Sequence, residues 1–185
     1  MNFIKTDING VYIIEPRVFR DERGYFFESF NRAEMIKNGI TNDFGVQDNQ
    51  SKSSYGVIRG LHCQLGEFSQ AKLVRVLQGK VLDVAVDVRP NSLTFGKHVA
   101  VELSDENMRQ LLIPRHFLHG FSVLSPTAVF AYKVDNVYNK ASEFGIRFDD
   151  QEIGIDWKIP MDKVITSEKD RIANKLSDLL RQRTK

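Results

Sequence analysis

From residue 11 to residue 148 the chain alternates apolar with polar residues in short runs separated by turn-forming groups. Side chains of a strand point alternately to its two faces, so a period of two describes strands buried on one side, a pattern that the helical period of about 3.6 residues does not produce. Strands are therefore expected over 11–14, 17–30, 46–53, 57–64, 72–77, 80–88, 97–102, 109–113, 119–123, 128–134 and 145–148. The groups between them, among them Asp21-Glu22-Arg23-Gly24, Tyr55-Gly56, Gln78-Gly79, Pro90-Asn91-Ser92 and Ser104-Asp105-Glu106-Asn107, are rich in residues that tolerate turn geometry. So many short strands at this spacing predict an all-β sandwich or barrel.

Two segments break the alternation. Asn31 can cap a short helix with Glu34 at its third position and an end near Asn38-Gly39. Ile172, Leu176, Leu179 and Leu180 fall on one face of a C-terminal amphipathic helix. The 185 residues, 42% of them apolar, suffice for one core, and no repeat or linker divides them, so a single domain over 1–185 is expected. With 26 Lys plus Arg against 24 Asp plus Glu the net charge is +2, and the basic end at 181–185 is too short to make a polyanion binder, so no nucleic acid is expected as partner. No apolar run approaches the roughly 20 residues of a membrane span, and the opening MNFIKTDING lacks the pattern of a signal peptide; a cytoplasmic protein without a membrane partner is expected. A lone Cys63 forms no internal disulfide and no two-cysteine metal knuckle.

The spacing of Gly56, His62, Gln64, Lys72 and Gly79 resembles the first metal-binding motif of the cupin jelly-roll barrels, and Pro114-Arg115-His116-Phe117-Leu118-His119 resembles part of the second. Gln64 stands where the second His of that motif belongs and Lys72 where its Glu belongs. A charged ammonium cannot ligate a metal, so Lys72 puts a positive charge where the ion's charge would have been. The expected fold is a cupin-type jelly-roll barrel with short flanking helices, including one at the C-terminus. No metal and no cofactor are expected, and metal-dependent cupin chemistry is the minor alternative.

Alternation groups the reactive residues by face. His62 shares one with Gly60 and Gln64, while Arg59, Leu61 and Cys63 take the other; Lys72 goes with Val74 and Val76, and Tyr132 with Phe130 and Val134. Pointing inward, these faces gather an imidazole, an ammonium and a phenol, which suit proton abstraction next to a carbonyl: a base, a stabiliser of the enolate oxygen and an acid.

The stretches Arg59-Gly60-Leu61-His62-Cys63-Gln64, Ala71-Lys72-Leu73-Val74-Arg75-Val76-Leu77-Gln78-Gly79, the run 81–89 (VLDVAVDVR) and Ser167-Glu168-Lys169-Asp170 closely resemble the dTDP-4-dehydrorhamnose 3,5-epimerases. Arg20-Asp21-Glu22-Arg23-Gly24, the run 46–51 (VQDNQS), His119-Gly120-Phe121 and Gly154-Ile155-Asp156-Trp157 extend the match over residues 2–175. That resemblance implies an isomerase that inverts carbons 3 and 5 of dTDP-4-dehydro-6-deoxy-D-glucose to give dTDP-4-dehydro-L-rhamnose, without a cofactor. It implies His62 as base with Asp170 as its orienting partner, Tyr132 as acid and Lys72 as enolate stabiliser. Substrate binding is implied for Arg23 and Arg59 at the diphosphate, for Phe26, Glu28, Gln47 and Asn49 at or near the thymidine, for Tyr138 as a stacking surface, and for His119, Glu143 and Lys169 near the ligand. It also implies a homodimer whose 23–28 strand reaches the partner's site. Cys63 departs from the family's usual Tyr and is expected to change packing only.

Plainer readings stand beside these. His62 and Tyr132 are ordinary core residues when taken alone, Arg23, Arg59 and Lys72 ordinary surface cations, and Asp170 a helix-start carboxylate three positions after Ser167. His98 and His116 are expected to be structural, and Asp83, on a face with Val81, Ala85 and Asp87, to point inward or to support the His62–Asp170 pair without a catalytic role. The alternatives in function are an epimerase of a single centre, a non-enzymatic sugar-nucleotide binder and a metal-dependent cupin enzyme.

Overall fold

The computed structural model describes the backbone of residues 1–183 and the side chains of residues 1–179. Its elements are β1 (Asn2–Lys5), β2 (Tyr12–Glu15), β3 (Phe19–Asp21), β4 (Gly24–Phe26), α1 (Arg32–Lys37), β5 (Gln47–Ser54), β6 (Ile58–Gln64), β7 (Lys72–Gln78), β8 (Lys80–Asp87), β9 (His98–Ser104), β10 (Gln110–Ile113), β11 (Phe117–Val123), β12 (Thr127–Val134), β13 (Glu143–Gly145), α2 (Glu168–Arg171) and α3 (Leu176–Arg183). All named strand pairs are antiparallel.

The all-β expectation holds, but the jelly-roll barrel does not. A six-stranded sheet runs β1-β2-β10-β7-β12-β5, a five-stranded sheet runs β13-β6-β11-β8-β9, and β3 with β4 forms a separate two-stranded hairpin. Each large sheet ends in strands that do not pair with the other sheet, so both are open and the barrel is not closed. Alternation reports which face of a strand is buried, and two open sheets stacked face to face bury the same residues that a closed barrel would.

The inner faces meet in one core that draws Val74, Leu111 and Phe130 from the six-stranded sheet and Val81, Val101 and Phe121 from the five-stranded one. Phe121 and Phe130 stack across the gap with ring centroids 4.2 Å apart. Each such side chain removed from water contributes about 1.5–3 kcal/mol. A second cluster covers the outer face of the five-stranded sheet, where Leu61, Cys63 and Val84 pack under Phe144, Trp157 and Leu176 from the C-terminal third. A third sits where Met35 of α1 and Phe44 cover Leu73 and Leu112.

The helix expected after Asn31 forms, with the Asn31 side chain accepting from the Glu34 amide at 3.2 Å. The C-terminal helix is shorter than its leucine spacing suggests. Ile172 caps α2 and is 76% exposed, whereas Leu176 and Leu179 of α3 are buried. The side chains from Leu180 on, and with them those of the basic end at 181–185, lie outside the described residues. Within 17–30 only the hairpin is strand, and its residues are exposed because neither large sheet pairs with it. No helix among the described residues is long and apolar enough to cross a membrane.

Candidate active site

Between the two sheets opens a cleft of about 580 Å³. The five-stranded sheet lends it Arg59, His62 and His119, and the six-stranded sheet lends it Asn49, Lys72 and Tyr132. Asp170 enters from α2.

His62 Nε2 lies 2.6 Å from Asp170 Oδ1, and against a carboxylate that nitrogen carries the proton and donates it. Nδ1 is then left with its lone pair. The His62 side chain is 30% exposed while that of Asp170 is 5% exposed, so one partner meets the cleft and the other is sheltered. Asp170 occupies its place because Ser167 caps α2, its hydroxyl accepting from the Asp170 amide at 3.1 Å. Burial alone would raise the Asp170 carboxyl, but the bond from His62, its charge, the Gly60 amide and Ser167 together hold it below the usual carboxylate range.

A close approach of two glycines sets the strand geometry beside this pair. Gly60 has φ +119°, and a Cβ on it would sit 2.6 Å from the Gly120 Cα and 2.7 Å from the His119 carbonyl oxygen. The β6–β11 register places His62 opposite His119 and shifts between His119 and Phe121. This irregularity overturns the expected face of Arg59. Strict alternation sends Arg59 away from His62, yet both line the cleft, and the Arg59 Nε donates to Ser53 Oγ of β5 at 3.1 Å, across to the other sheet.

Lys72 opens β7 and Tyr132 lies on neighbouring β12, with the Lys72 Nζ 6.0 Å from the Tyr132 ring centroid. Burial pulls the Lys72 ammonium below its ordinary pKa, against the opposing influence of Cys63, Asp83 and Glu143. Burial likewise pushes the Tyr132 phenol up, with Arg59 working the other way, so the hydroxyl keeps its proton at neutral pH. His119 donates from Nε2 to Asp83 Oδ2 at 2.9 Å and is held toward the neutral form by burial, which outweighs the opposing pull of Asp83, with the charges of Lys72 and His62 assisting. A half-exposed imidazole on a carboxylate, a protonated phenol and an ammonium around one cleft can take a proton from carbon, return one and stabilise an oxyanion.

The family model of dTDP-4-dehydrorhamnose 3,5-epimerase matches residues 5–178. The chain belongs to the dTDP-4-dehydrorhamnose 3,5-epimerase family. It is 52% identical over 179 residues to the dTDP-4-dehydrorhamnose 3,5-epimerase of Shigella flexneri, covering 96% of this chain and 97% of that one. The crystal structure of the Elizabethkingia anophelis NUHP1 enzyme superposes with a TM-score of 0.92 at 56% identity, over 96% of this chain and 97% of that one. The Legionella pneumophila Philadelphia 1 epimerase, solved in complex with dTDP-4-keto-L-rhamnose, gives a TM-score of 0.91 at 49% identity over 96% of each chain.

In this epimerase-family chain the remaining expected site residues fall into two groups. Near the cleft, Gln47 Nε2 donates to Asn49 Oδ1 at 2.7 Å and so braces a lining residue. Tyr138 donates to Glu143 Oε2 at 3.0 Å, and Lys169, which lines the cleft, pairs with Glu143 Oε1 at 2.5 Å. Arg23, Phe26 and Glu28 are not among the residues lining the cleft. Arg23 is paired with Asp21 and its side chain is 85% exposed, Phe26 is exposed on the hairpin, and Glu28 accepts from Asn31. Cys63 is buried on the outer face beside Leu61 and Phe144, away from His62. Sequence reasoning expected Asp83 to point inward and His119 to lie near the ligand, but did not join them as a pair. Its signal was an acid on the inward face of β8 between Val81 and Ala85, where neighbouring side chains are apolar.

Proposed function

We propose that the protein epimerises dTDP-4-dehydro-6-deoxy-D-glucose at carbons 3 and 5, giving dTDP-4-dehydro-L-rhamnose. The observation that carries this reading is the His62–Asp170 pair on one sheet's side of the cleft, with Tyr132 and Lys72 on the opposite sheet. Inversion needs a base on one face of the sugar and an acid on the other, and a placement of candidate groups on two facing sheets supports that reading.

Both reacting carbons flank the carbon-4 ketone, which acidifies their protons. His62 Nδ1 takes the proton, the C–H electron pair moves into the C–C bond, and the carbonyl becomes an enolate whose oxygen faces Lys72. Asp170 holds the ring in the tautomer that leaves Nδ1 free and stabilises the imidazolium that forms. The enolate then collapses as Tyr132 gives its proton to the other face of the carbon. Exchange with water through the open cleft resets His62 and Tyr132 before the second centre reacts. One charged donor of the Lys72 kind contributes about 2.7–4 kcal/mol by analogy with an oxyanion-hole donor.

Arg59 suits the diphosphate through its planar guanidinium, with Lys169 and Glu143 beside it. Asn49, braced by Gln47, meets the thymidine, Tyr138 stacks on it, and His119 contacts the sugar. Arg23, Phe26 and Glu28 act in the cleft of a second copy in a homodimer; the exposed Phe19, Tyr25 and Phe26 of the hairpin support that reading. Supplying the 4-keto substrate in deuterium oxide and following it by NMR tests the reaction. Label at both carbon 3 and carbon 5 is expected, and label at one alone refutes double inversion.

A further inference from the structure

Asp83 is the most deeply placed charge near the cleft. Its exposure is zero, it sits at the middle of β8, and its ladder partners are Phe121 of β11 and Val101 of β9. Its Oδ2 accepts from His119 Nε2 at 2.9 Å, and its Oδ1 has no hydrogen-bond partner among the described residues. An ionised carboxylate in such a setting costs several kcal/mol unless a cation balances it. His119 is a poor cation, because burial and the charges of Lys72 and His62 all favour its neutral form. Lys72 is a cation on which the charge of Asp83 does act. The groups whose charge or ring bears on its ammonium are Cys63 of β6, Asp83 of β8, His119 of β11, Tyr132 of β12 and Glu143 of β13. Glu143 is already engaged by Lys169 at 2.5 Å and by Tyr138 at 3.0 Å. Asp83 is thus the carboxylate with an oxygen to spare, and it lies among otherwise apolar side chains.

We propose that Asp83 is a positioning residue that keeps Lys72 an ammonium and orients the His119 ring through its Nε2–H. The inference rests on the reading of Lys72 as the enolate stabiliser. Burial that strengthens the attraction of Lys72 for an enolate oxygen also loosens its hold on its proton, and Asp83 offsets that effect from behind the site without touching substrate. The same carboxylate accepts from the His119 Nε2–H and leaves Nδ1 as the acceptor, while burial outweighs the pull of Asp83 and keeps the ring neutral.

The test is Asp83→Asn, which keeps the shape and removes the charge. Without the carboxylate the Lys72 proton is lost at lower pH, so the alkaline limb of the kcat–pH profile should move down by about one pH unit. At the optimum kcat should fall on the order of 10-fold to 100-fold with KM held. An unmoved alkaline limb overturns the proposal. Lys72→Met and the double variant separate the layers. A Lys72→Met protein that keeps full turnover removes the reading of Lys72 and the inference together. Loss of turnover in Lys72→Met with an unmoved limb in Asp83→Asn removes the inference alone. Asp83→Asn should add no further loss of kcat in the Lys72→Met background; an additive loss marks Asp83 as merely structural. If Asp83→Asn does not fold, carbon-13 NMR of the wild-type protein labelled at lysine Cε, with the resonance identified by its loss in Lys72→Arg, reads the charge directly. A cationic Lys72 at pH 7 supports the proposal and a neutral one overturns it.

Discussion

Two imidazole–carboxylate pairs reach the cleft, the second through its imidazole alone, and they are chemically alike and physically different. His62–Asp170 joins a strand to the first turn of a helix across 108 residues of chain, and its imidazole is 30% exposed. His119–Asp83 joins two neighbouring strands of one sheet, with the imidazole 8% and the carboxylate 0% exposed. Asp170 is supported by His62, the Gly60 amide and Ser167, whereas Asp83 has His119 and a bare oxygen. Solvent access makes the first pair suitable for proton traffic. Burial makes the second suitable for holding a fixed charge pattern. The same two side chains thus serve different ends according to how much water reaches them.

The largest way to break this contrast is at the outer pair. His62→Ala should cost on the order of 10²–10⁴-fold in kcat while dTDP affinity, read by calorimetry, stays within a few-fold. Retained turnover would remove His62 from the chemistry. Asp170→Asn should leave the ring in place but in the wrong tautomer, with a kcat loss approaching about 10⁴-fold at the extreme. It also carries a stability signature. The folded Asp170 carboxyl lies below its usual value of 3.8, so its contribution is complete above that value and disappears as pH falls through the lower folded one. The gap in Tm between wild type and Asp170→Asn should therefore narrow as melts are run from about pH 5 down to about pH 2; a gap that widens in acid contradicts the pairing.

Gly60→Ala attacks the junction between the pairs. The added Cβ meets Gly120 and the His119 carbonyl at under 3 Å on a backbone with φ +119°. A loss of about 1–3 kcal/mol by denaturant titration is expected, with lower kcat as β6 moves from β11. Ser167→Ala should cost about 1 kcal/mol through the cap and blur Asp170 without removing it, so kcat should fall far less than in Asp170→Asn. The smallest effect sharpens the inner pair: in a nitrogen-15 NMR titration the His119 ring should stay neutral at pH 6.5, the ordinary imidazole midpoint, and protonate only in more acid solution.

Much of the fold was legible because strand burial writes itself in the sequence at period two. The expected runs at 46–53, 72–77 and 80–88 match β5, β7 and β8 to within a residue or so at each end. The first strand, Asn2–Lys5, was missed because it is an edge strand with no fully buried residue, so alternation leaves little trace there. Of the site, the grouping of His62, Lys72 and Tyr132 was legible from parity. The side of Arg59 was not, since one irregularity at Gly60 reverses the parity of every residue before it.

What the sequence determined by itself was local: which residues face inward, where α1 and α2 start, and which reactive side chains share a face. Ser167 and Asp170, for example, declare a helix start by spacing alone. Only the tertiary structure decided that the sheets stay open, because closure depends on whether distant edge strands pair, and no residue pattern within a strand records that. It also decided that Asp83 meets His119 while Lys72 stands nearby. Those groups come from three strands, and the energy of a buried charge depends on everything around it rather than on its neighbours in the chain.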